Sequence, residues 1–323
     1  MMERSINLVW QVDPYSSSIW EYDWISSVLS DFNVTHIVDT DYKICVDNAI
    51  IVSPGKRRAE YRNLETYVKS FREQGLKVGF IHLGDEWLRD PINFYKHVDF
   101  IFRNYYRSEA HKLGNCFYFP LGYKTGFCKE LVFRDLNDRQ YSWSFAGHAK
   151  GSRYKMLDYA HKIPGGLYHR TQMFNDPQGL STKSYAELLN QTKFALCPRG
   201  NFSVDTFRFY EALEAGTIPI VEDRGGREVL KEVLGIRSFL SSGCHKPSYW
   251  LVNTRYLTQQ SYWQQAYGLE FPCPRIYDWE NLEALLAHMD VESTARTIQN
   301  WWSNYKLSLS KLMSTTIEAA FFR

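Results

Sequence analysis

The sequence predicts an α/β protein made of two similar halves followed by a helix. Three observations carry this. Short apolar runs alternate with amphipathic stretches through residues 1–138. The polar break Asn137-Asp138-Arg139-Gln140 is followed by a restart of the same alternation. Residues 292–322 keep helical spacing, with Trp301, Trp302, Tyr305, Leu307 and Leu309. Strands alternating with helices imply βαβ units and parallel sheets. Their crossovers are nearly always right-handed, so each half is expected to be doubly wound. The expected organisation is a domain over 1–138, a second over 139–300 and a terminal helix over 301–323.

In the first half, residues 6–12 read as a strand. Residues 17–32 put Ile19, Trp20, Trp24, Ile25, Val28 and Leu29 at helical spacing. Residues 34–38 and 49–52 read as buried strands, Ser53-Pro54-Gly55 as a turn, and 56–74 as a second helix. Residues 77–83 read as a strand ending in Gly84-Asp85-Glu86. Strands at 98–103 and 116–119 complete this half.

In the second half, 141–146 is a strand and 147–151 a glycine-bounded loop. Ser152 is placed to cap a helix over 153–162. A strand at 166–169, a helix at 184–192 and a strand at 193–196 lead to the turn Pro198-Arg199-Gly200-Asn201. A helix at 206–215 ends at Gly216, a residue suited to the left-handed C′ position. A strand at 217–221 and helices at 227–234 and 280–289 follow.

Composition narrows the function. Lys and Arg total 38 against 36 Asp and Glu, a net charge of +2 that speaks against a dedicated nucleic-acid binder. Hydrophobic residues are 44% and charged residues 23%, as in a globular chain. Aromatic residues reach 16%, enough for a large core and for stacking on sugars or bases. No apolar run approaches the ~20 residues of a spanning helix. The start, with Glu3 and Arg4, has no signal-peptide core. A cytoplasmic location is expected of the chain as it stands, and the Golgi lumen if it normally carries an anchor. The six cysteines show no C-x-x-C spacing and are expected to be free thiols. Nine histidines lie without H-E-x-x-H spacing, so no metal site is expected. Asp39-Thr40-Asp41 has the look of a metal-binding Asp-x-Asp but follows a strand of the first half, and is read as a decoy. No G-x-G-x-x-G or G-x-x-x-x-G-K-[ST] occurs, against a dinucleotide oxidoreductase or a P-loop enzyme.

Ligands of open α/β sheets bind beyond the carboxyl ends of the strands. That directs attention to Gly84-Asp85-Glu86 and to loops 147–153, 198–208 and 222–226. The richest segment is 193–221, where a buried strand runs into Cys197-Pro198-Arg199-Gly200 and a helix carries Arg208 and Glu211 on one face. N–H groups at such a helix start can hold phosphate oxygens, and arginine forks can grip a diphosphate. Glu211 can accept from ribose hydroxyls, as acidic residues do in dinucleotide sites. The competing reading is an Arg208–Glu211 surface ion pair.

This segment resembles the nucleotide-sugar half of exostosin-like glycosyltransferases, glycosyltransferase family 47. The carriers are Leu196-Cys197-Pro198-x-Gly200, Arg208-x-x-Glu211-Ala212 and Gly216-x-Ile218-Pro219-Ile220-Val221. Phe145-Ala146-Gly147 with Arg153 downstream looks like the opening of that domain. Gly84-Asp85-Glu86-Trp87 and Phe102-Arg103-Asn104-Tyr105-Tyr106 look like the ribitol xylosyltransferase-like branch. The specific likeness covers 141–226, with weaker matches over 78–106. Residues 236–278 match nothing in that pattern.

The resemblance implies a GT-B architecture, two Rossmann-like domains facing across a cleft, with the terminal helix crossing back to the first. It implies an inverting, metal-independent enzyme without a cofactor. The co-substrate would be a nucleotide sugar, a UDP-sugar such as UDP-xylose, and the acceptor a hydroxyl of a glycan or polyol phosphate. Inverting transfer needs a base within reach of that hydroxyl. Asp85, Glu86 and His82 are the candidates, all at one strand end of the first half. Strand alternation would aim Asp85 and Glu86 to opposite sides. The competing reading makes Asp85 a helix cap and Glu86 a first-turn acid. Arg153 and Arg208 are favoured for the leaving diphosphate, Arg199 ranks next and Arg170 third. Gly147 and Gly200 shape the donor loops, and Glu211 completes the donor set. His148 and Lys150 read as exposed loop residues, and Trp87, Tyr105 and Tyr106 as core rather than as sugar-stacking rings. The alternatives kept open are a GDP-fucose-type transferase and a non-catalytic nucleotide- or sugar-binding protein.

Overall fold

The computed structural model describes residues 4–16, 19–54, 60–127, 131, 133–173, 176–223 and 261–323. The chain divides into two compact units, Met1–Thr125 with Ser303–Arg323, and Gly126–Trp302.

The first unit runs β1 (Ser5–Trp10), α1 (Tyr22–Val28), β2 (Asn33–Val38), β3 (Ala49–Pro54), α2 (Glu60–Glu73), β4 (Val78–Leu83), β5 (Phe100–Arg103), α3 (Ser108–His111) and β6 (Cys116–Tyr118). Its strands form one sheet in the order β2-β1-β3-β4-β5-β6, every pair parallel. β4, Val-Gly-Phe-Ile-His-Leu, is buried at every position, which is why it reads as a continuous apolar run. α2 places Leu64, Tyr67, Val68 and Phe71 at helical spacing, and they pack with Val9, Ile51, Phe80 and Ile101. β2 was expected to be buried. It is the edge strand, with Val38 48% exposed, because only β1 pairs with it.

α1 is shorter than the 17–32 stretch of helical spacing. Among the described residues it spans Tyr22–Val28, and Glu21 precedes it without a side-chain cap. Glu21 is itself buried, its Oε2 accepting from the Trp20 N–H at 3.0 Å. Burial pushes its carboxyl up to about 7, against the opposing backbone hydrogen bonds of Trp20 and Glu21. An acid whose folded pKa is raised costs stability as pH rises from the unfolded value towards the folded one. Glu21→Gln is therefore expected to gain on the parent protein between pH ~4.5 and ~7, by up to about 3 kcal/mol above that window. Urea unfolding of both proteins at pH 4, 6 and 8 checks this. A stability difference independent of pH would refute it.

The second unit runs β7 (Tyr141–His148), α4 (Ser152–Ala160), β8 (Leu167–Thr171), α5 (Thr182–Asn190), β9 (Thr192–Cys197), α6 (Phe207–Glu214) and β10 (Ile218–Glu222). It continues with α7 (Tyr262–Tyr267), β11 (Arg275–Ile276), α8 (Leu282–Ala287) and α9 (Val291–Phe321). Its sheet has the order β11-β10-β9-β7-β8, again all parallel. Both sheets repeat one doubly wound order, second-first-third-fourth-fifth. The strand order reverses between β1 and β3 in one and between β7 and β9 in the other. Those reversals are where open α/β sheets leave a crevice for ligands.

Several details differ from the sequence reading. β7 extends two residues past Ala146, so Gly147 and His148 are strand rather than loop. Gly151, at φ +55, precedes α4, and Ser152 does not cap it but donates to Glu222. α5 starts earlier, at a cap made by Ser181, whose hydroxyl accepts from the Ser184 N–H. α7 and β11 were not expected, and the helix read at 227–234 lies outside the described residues. The polar stretch Asn137-Asp138-Arg139-Gln140 lies within the second unit. Arg139 is buried there, donating to the carbonyls of Thr192 at 2.8 Å and Ala215 at 3.2 Å and to the Thr217 hydroxyl at 2.9 Å. Burial pushes its pKa down to about 10, so this charge holds loops together instead of marking a linker.

α9 contributes to both units. Trp302 donates to Glu214 at 2.8 Å and packs on Tyr210, and Trp301 meets Phe271 edge-on. Both tryptophans, expected on the first domain, thus anchor in the second. From Ser303 the helix belongs to the first unit. There Ser310 donates to the Val28 carbonyl, Ser314 to Asp31, and Phe321 packs on Phe100. Cys45, Cys116, Cys197 and Cys273 are free thiols, while Cys128 and Cys244 lie outside the described residues. Among the described residues no helix is long and apolar enough to cross a membrane.

Candidate functional site

In the second unit, the reversal between β7 and β9 gathers the donor-site candidates. β7 ends in Phe145-Ala146-Gly147-His148. Arg208, in the first turn of α6, donates from Nε to the Ala146 carbonyl at 3.1 Å. Its guanidinium lies 5.1 Å from the Phe145 ring centroid, within cation–π range. Among the described residues the two terminal nitrogens meet no acceptor. Arg208 is therefore fixed by its stem and one face, with its fork left for a ligand. Gly147 makes the room. At φ +150 it occupies a conformation side chains rarely adopt, and a Cβ there would stand 2.5 Å from Arg208 Nη2. Gly147→Ala is expected to displace that fork and weaken anionic-ligand binding about tenfold. Titration with UDP checks it, and unchanged affinity would contradict it.

Arg153 does different work. It is buried, donating from Nη1 to the His148 carbonyl at 3.0 Å and from Nε and Nη2 to the Arg199 carbonyl at 3.3 and 3.0 Å. It ties the end of β7 to the 198–200 turn, pinning the loops on both sides of the reversal. Arg199 is held by Glu222 at the end of β10. Glu222 accepts from the Arg199 N–H at 3.1 Å and lies 3.7 Å from its guanidinium. The same carboxylate takes bonds from Ser152 at 2.9 Å and Trp279 at 3.3 Å. Gly200 closes its turn by donating to the Ser203 carbonyl at 2.7 Å, and Lys150 meets the Asn201 side chain. Glu211 is buried and makes no ion pair with Arg208, so neither the surface pair nor a solvent-facing acid describes it. Beside it, burial holds the Tyr185 phenol well above its usual range, reinforced by the Glu211 charge. Arg170 is exposed on β8, where it is the in-register neighbour of Gly147.

Within the loops that the sequence singled out, the structure gives roles to residues it did not name. Asp205 accepts from the hydroxyls of Tyr210 and Tyr262, both at 2.7 Å, tying the α6 approach to α7. Asp223, buried after β10, accepts from Ser261 and faces Arg275 at 3.6 Å. Burial pushes its carboxyl up to about 6. The strand-end rule pointed to Glu222 and Asp223, but their partners lie 41 or more residues away from Glu222 in the cases of Trp263 and Trp279, so no local signal named them.

In the first unit, in-register residues at the carboxyl edge form a polar row. Ser53 pairs with His82, and His82 with Arg103, while the Gln11 N–H bonds the carbonyl beside Ser53. Gln11 and His82 are 1% exposed and Arg103 0%. His82 Nδ1 faces the Tyr95 hydroxyl at 2.6 Å and Arg103 Nη1 at 3.3 Å, and Nε2 faces Asp90 at 3.0 Å. Arginine only donates, so Nδ1 accepts and Nε2 carries the proton towards Asp90. Burial holds the His82 pKa below its ordinary value, with Asp90 opposing. Asp85 receives Arg103 Nη2 at 2.5 Å on Oδ2. Its Oδ1 takes the N–H groups of Arg89 at 2.8 Å and Asp90 at 3.2 Å. Asp85 thus caps the turn it begins, the competing reading of the sequence. Of Asp85, Glu86 and His82, only Glu86 is not buried.

The remaining candidates are placed as follows. Asp39 caps its loop through the N–H groups of Lys43 and Ile44, and Asp41 pairs with Lys43 on the surface. Among the described residues no cluster of His, Cys, Asp or Glu is set to hold a metal ion. Tyr105 is buried, Tyr106 stacks on His111 at 4.5 Å, and Trp87 lies under Arg89 at 5.0 Å.

Comparison with known proteins meets this geometry. Residues 132–236 match the family model described as the RXYLT1 C-terminal domain. No curated protein sequence matches. Among solved structures, an alpha1,3-fucosyltransferase aligns with a TM-score of 0.42 and 15% identity, over 93% of this chain and 91% of that one. A UDP-glucosyltransferase from Polygonum tinctorium, capable of glucosylating indoxyl, aligns with a TM-score of 0.40 and 7% identity, over 98% and 99%. Both likenesses are distant. The stretch that matches the family model, about a third of the chain, covers Gly147, Arg153, Arg199, Gly200, Arg208 and Glu211.

Proposed function

We propose that the protein is an inverting, metal-independent glycosyltransferase of GT-B design. It takes a nucleotide sugar in the second unit, a UDP-sugar such as UDP-xylose, and transfers the sugar to a hydroxyl of a glycan or polyol phosphate bound by the first. The observation that carries this reading is Arg208: anchored at the β7/β9 reversal by Ala146 and Phe145, with its fork open. As the sugar–phosphate bond breaks, negative charge grows on the diphosphate, and a preset guanidinium stabilises it without reorganising. Arg153, Arg199 and Glu222 hold the loops around it. In the first unit Glu86 takes the acceptor proton, a role supported by its being the one of the three candidates that is not buried, while Asp85 and His82 hold its loop.

The test is nucleotide release. Offered UDP-xylose, UDP-glucose, UDP-N-acetylglucosamine and GDP-fucose with a panel of glycans and polyol phosphates, the protein should release nucleotide from one donor only when an acceptor is present. Proton NMR should show the anomeric configuration of the product inverted. Release from GDP-fucose alone would move the assignment to a fucosyltransferase. Donor binding without transfer to any acceptor would favour a binding protein.

A further inference from the structure

Thr206 stands at the N-cap of α6 in an extended conformation, φ −142 and ψ 151. Threonine there ordinarily accepts from an N–H of the first helical turn. Here its side chain makes no such bond, and among the described residues Oγ1 is buried without a hydrogen-bond partner. Thr206 as a residue is 8% exposed. A buried hydroxyl left unpaired is destabilising, and native proteins seldom retain one without a use. Two residues on, Arg208 presents its open fork from the same helix start. The first-turn N–H groups, which the side chain leaves uncapped, add the partial positive charge of a helix N-terminus.

We propose that Thr206 is a donor-binding residue, its hydroxyl donating to a phosphate oxygen of the nucleoside diphosphate that Arg208 grips. The proposal rests on the donor-site reading above and assigns it a residue outside the Arg208-x-x-Glu211 pattern. The hydroxyl is assigned to an anion rather than to base or sugar because Arg208 and the first-turn N–H groups are donors, while the neighbouring Asp205 carboxylate is taken up by the Tyr210 and Tyr262 hydroxyls. Staggered χ1 wells let hydroxyl and methyl exchange places, so the ligand can recruit the oxygen without moving the backbone.

Thr206→Val tests this because ligand recognition and plain structure predict opposite signs. Valine keeps the shape and removes an oxygen that has no partner among the described residues. The variant alone should melt at the parent temperature or above it. Its affinity for UDP and GDP, read by titration calorimetry, should fall about tenfold, as expected for a lost hydrogen bond to a charged group. Affinity for uridine, which has no phosphate, should not change. Thr206→Ser should retain most of the UDP affinity. A variant that melts lower and binds UDP as the parent does would give Thr206 a structural role and overturn the proposal while leaving the donor site standing. A parent protein that binds neither UDP nor GDP would overturn both.

Discussion

Arg208→Ala is expected to slow transfer by about 10²- to 10³-fold and to weaken nucleotide-sugar binding in parallel. Its magnitude follows from where the charge sits. The guanidinium lies on the Phe145 ring and is tied to Ala146, so its orientation is set before the ligand arrives. Truncation removes that charge, and the neighbouring arginines of the described residues are engaged elsewhere. Arg153 is committed to the carbonyls of His148 and Arg199, and Arg199 faces Glu222. Arg208→Lys should recover only part of the loss, because an ammonium lacks the planar fork and does not stack. The fold should be little affected, since the side chain is only partly buried and makes one backbone bond among the described residues. Steady-state kinetics beside thermal melting separates the two effects. A large fall in melting temperature with kinetics preserved per folded molecule would contradict the assignment.

Arg103→Ala carries the largest expected cost in stability, about 3–5 kcal/mol. Arg103 is fully buried and bonds Asp85 at 2.5 Å and the Tyr95 hydroxyl at 3.0 Å. Burial works against its charge, but Tyr95 and Asp85 outweigh that and keep it protonated. Removing it leaves the buried Asp85 carboxylate with the Arg89 and Asp90 N–H groups and with Arg107 at 3.9 Å. Asp85→Asn should cost less, since the amide can still accept from the Arg89 and Asp90 N–H groups. The double variant should cost less than the sum of the two singles, because each strands the other's charge. Denaturant unfolding of the three proteins measures this coupling. Strict additivity would mean that the pair contributes nothing as a pair. A variant that keeps its fold but loses kcat with KM unchanged would show that the network positions Glu86.

What the sequence made legible was what depends on local pattern. β4 and β9 are buried runs flanked by turn residues, and both were placed within a residue or two. Segment 193–221 drew attention because its residue types fit phosphate binding at a strand end. What was hidden depends on contacts between distant positions. β11 is two residues long and exists through pairing with β10, so it has no period to detect. Arg139 looked like part of a polar linker because its partners, Thr192, Ala215 and Thr217, come 53 to 78 positions later. Asp85 and His82 looked like strand-end catalysts. Their burial depends on Arg103, Tyr95 and Asp90 closing around them, and only Glu86 keeps access. Glu211 shares a helix with Arg208 as its spacing implied, but the helix turns it into the core.

The most direct test of the donor site is titration calorimetry of the whole protein with UDP-xylose, UDP-glucose, GDP-fucose, NAD and ATP, beside Arg208→Ala. A nucleotide sugar present at ~100 times its dissociation constant should also stabilise the protein by about 2.7 kcal/mol, so melting curves give an independent reading. The expected result is binding of one nucleotide sugar to the parent protein, lost or weakened at least tenfold in Arg208→Ala, with no binding of NAD or ATP. Binding of NAD or ATP alone, or nucleotide-sugar binding that is indifferent to Arg208, would contradict the site described here.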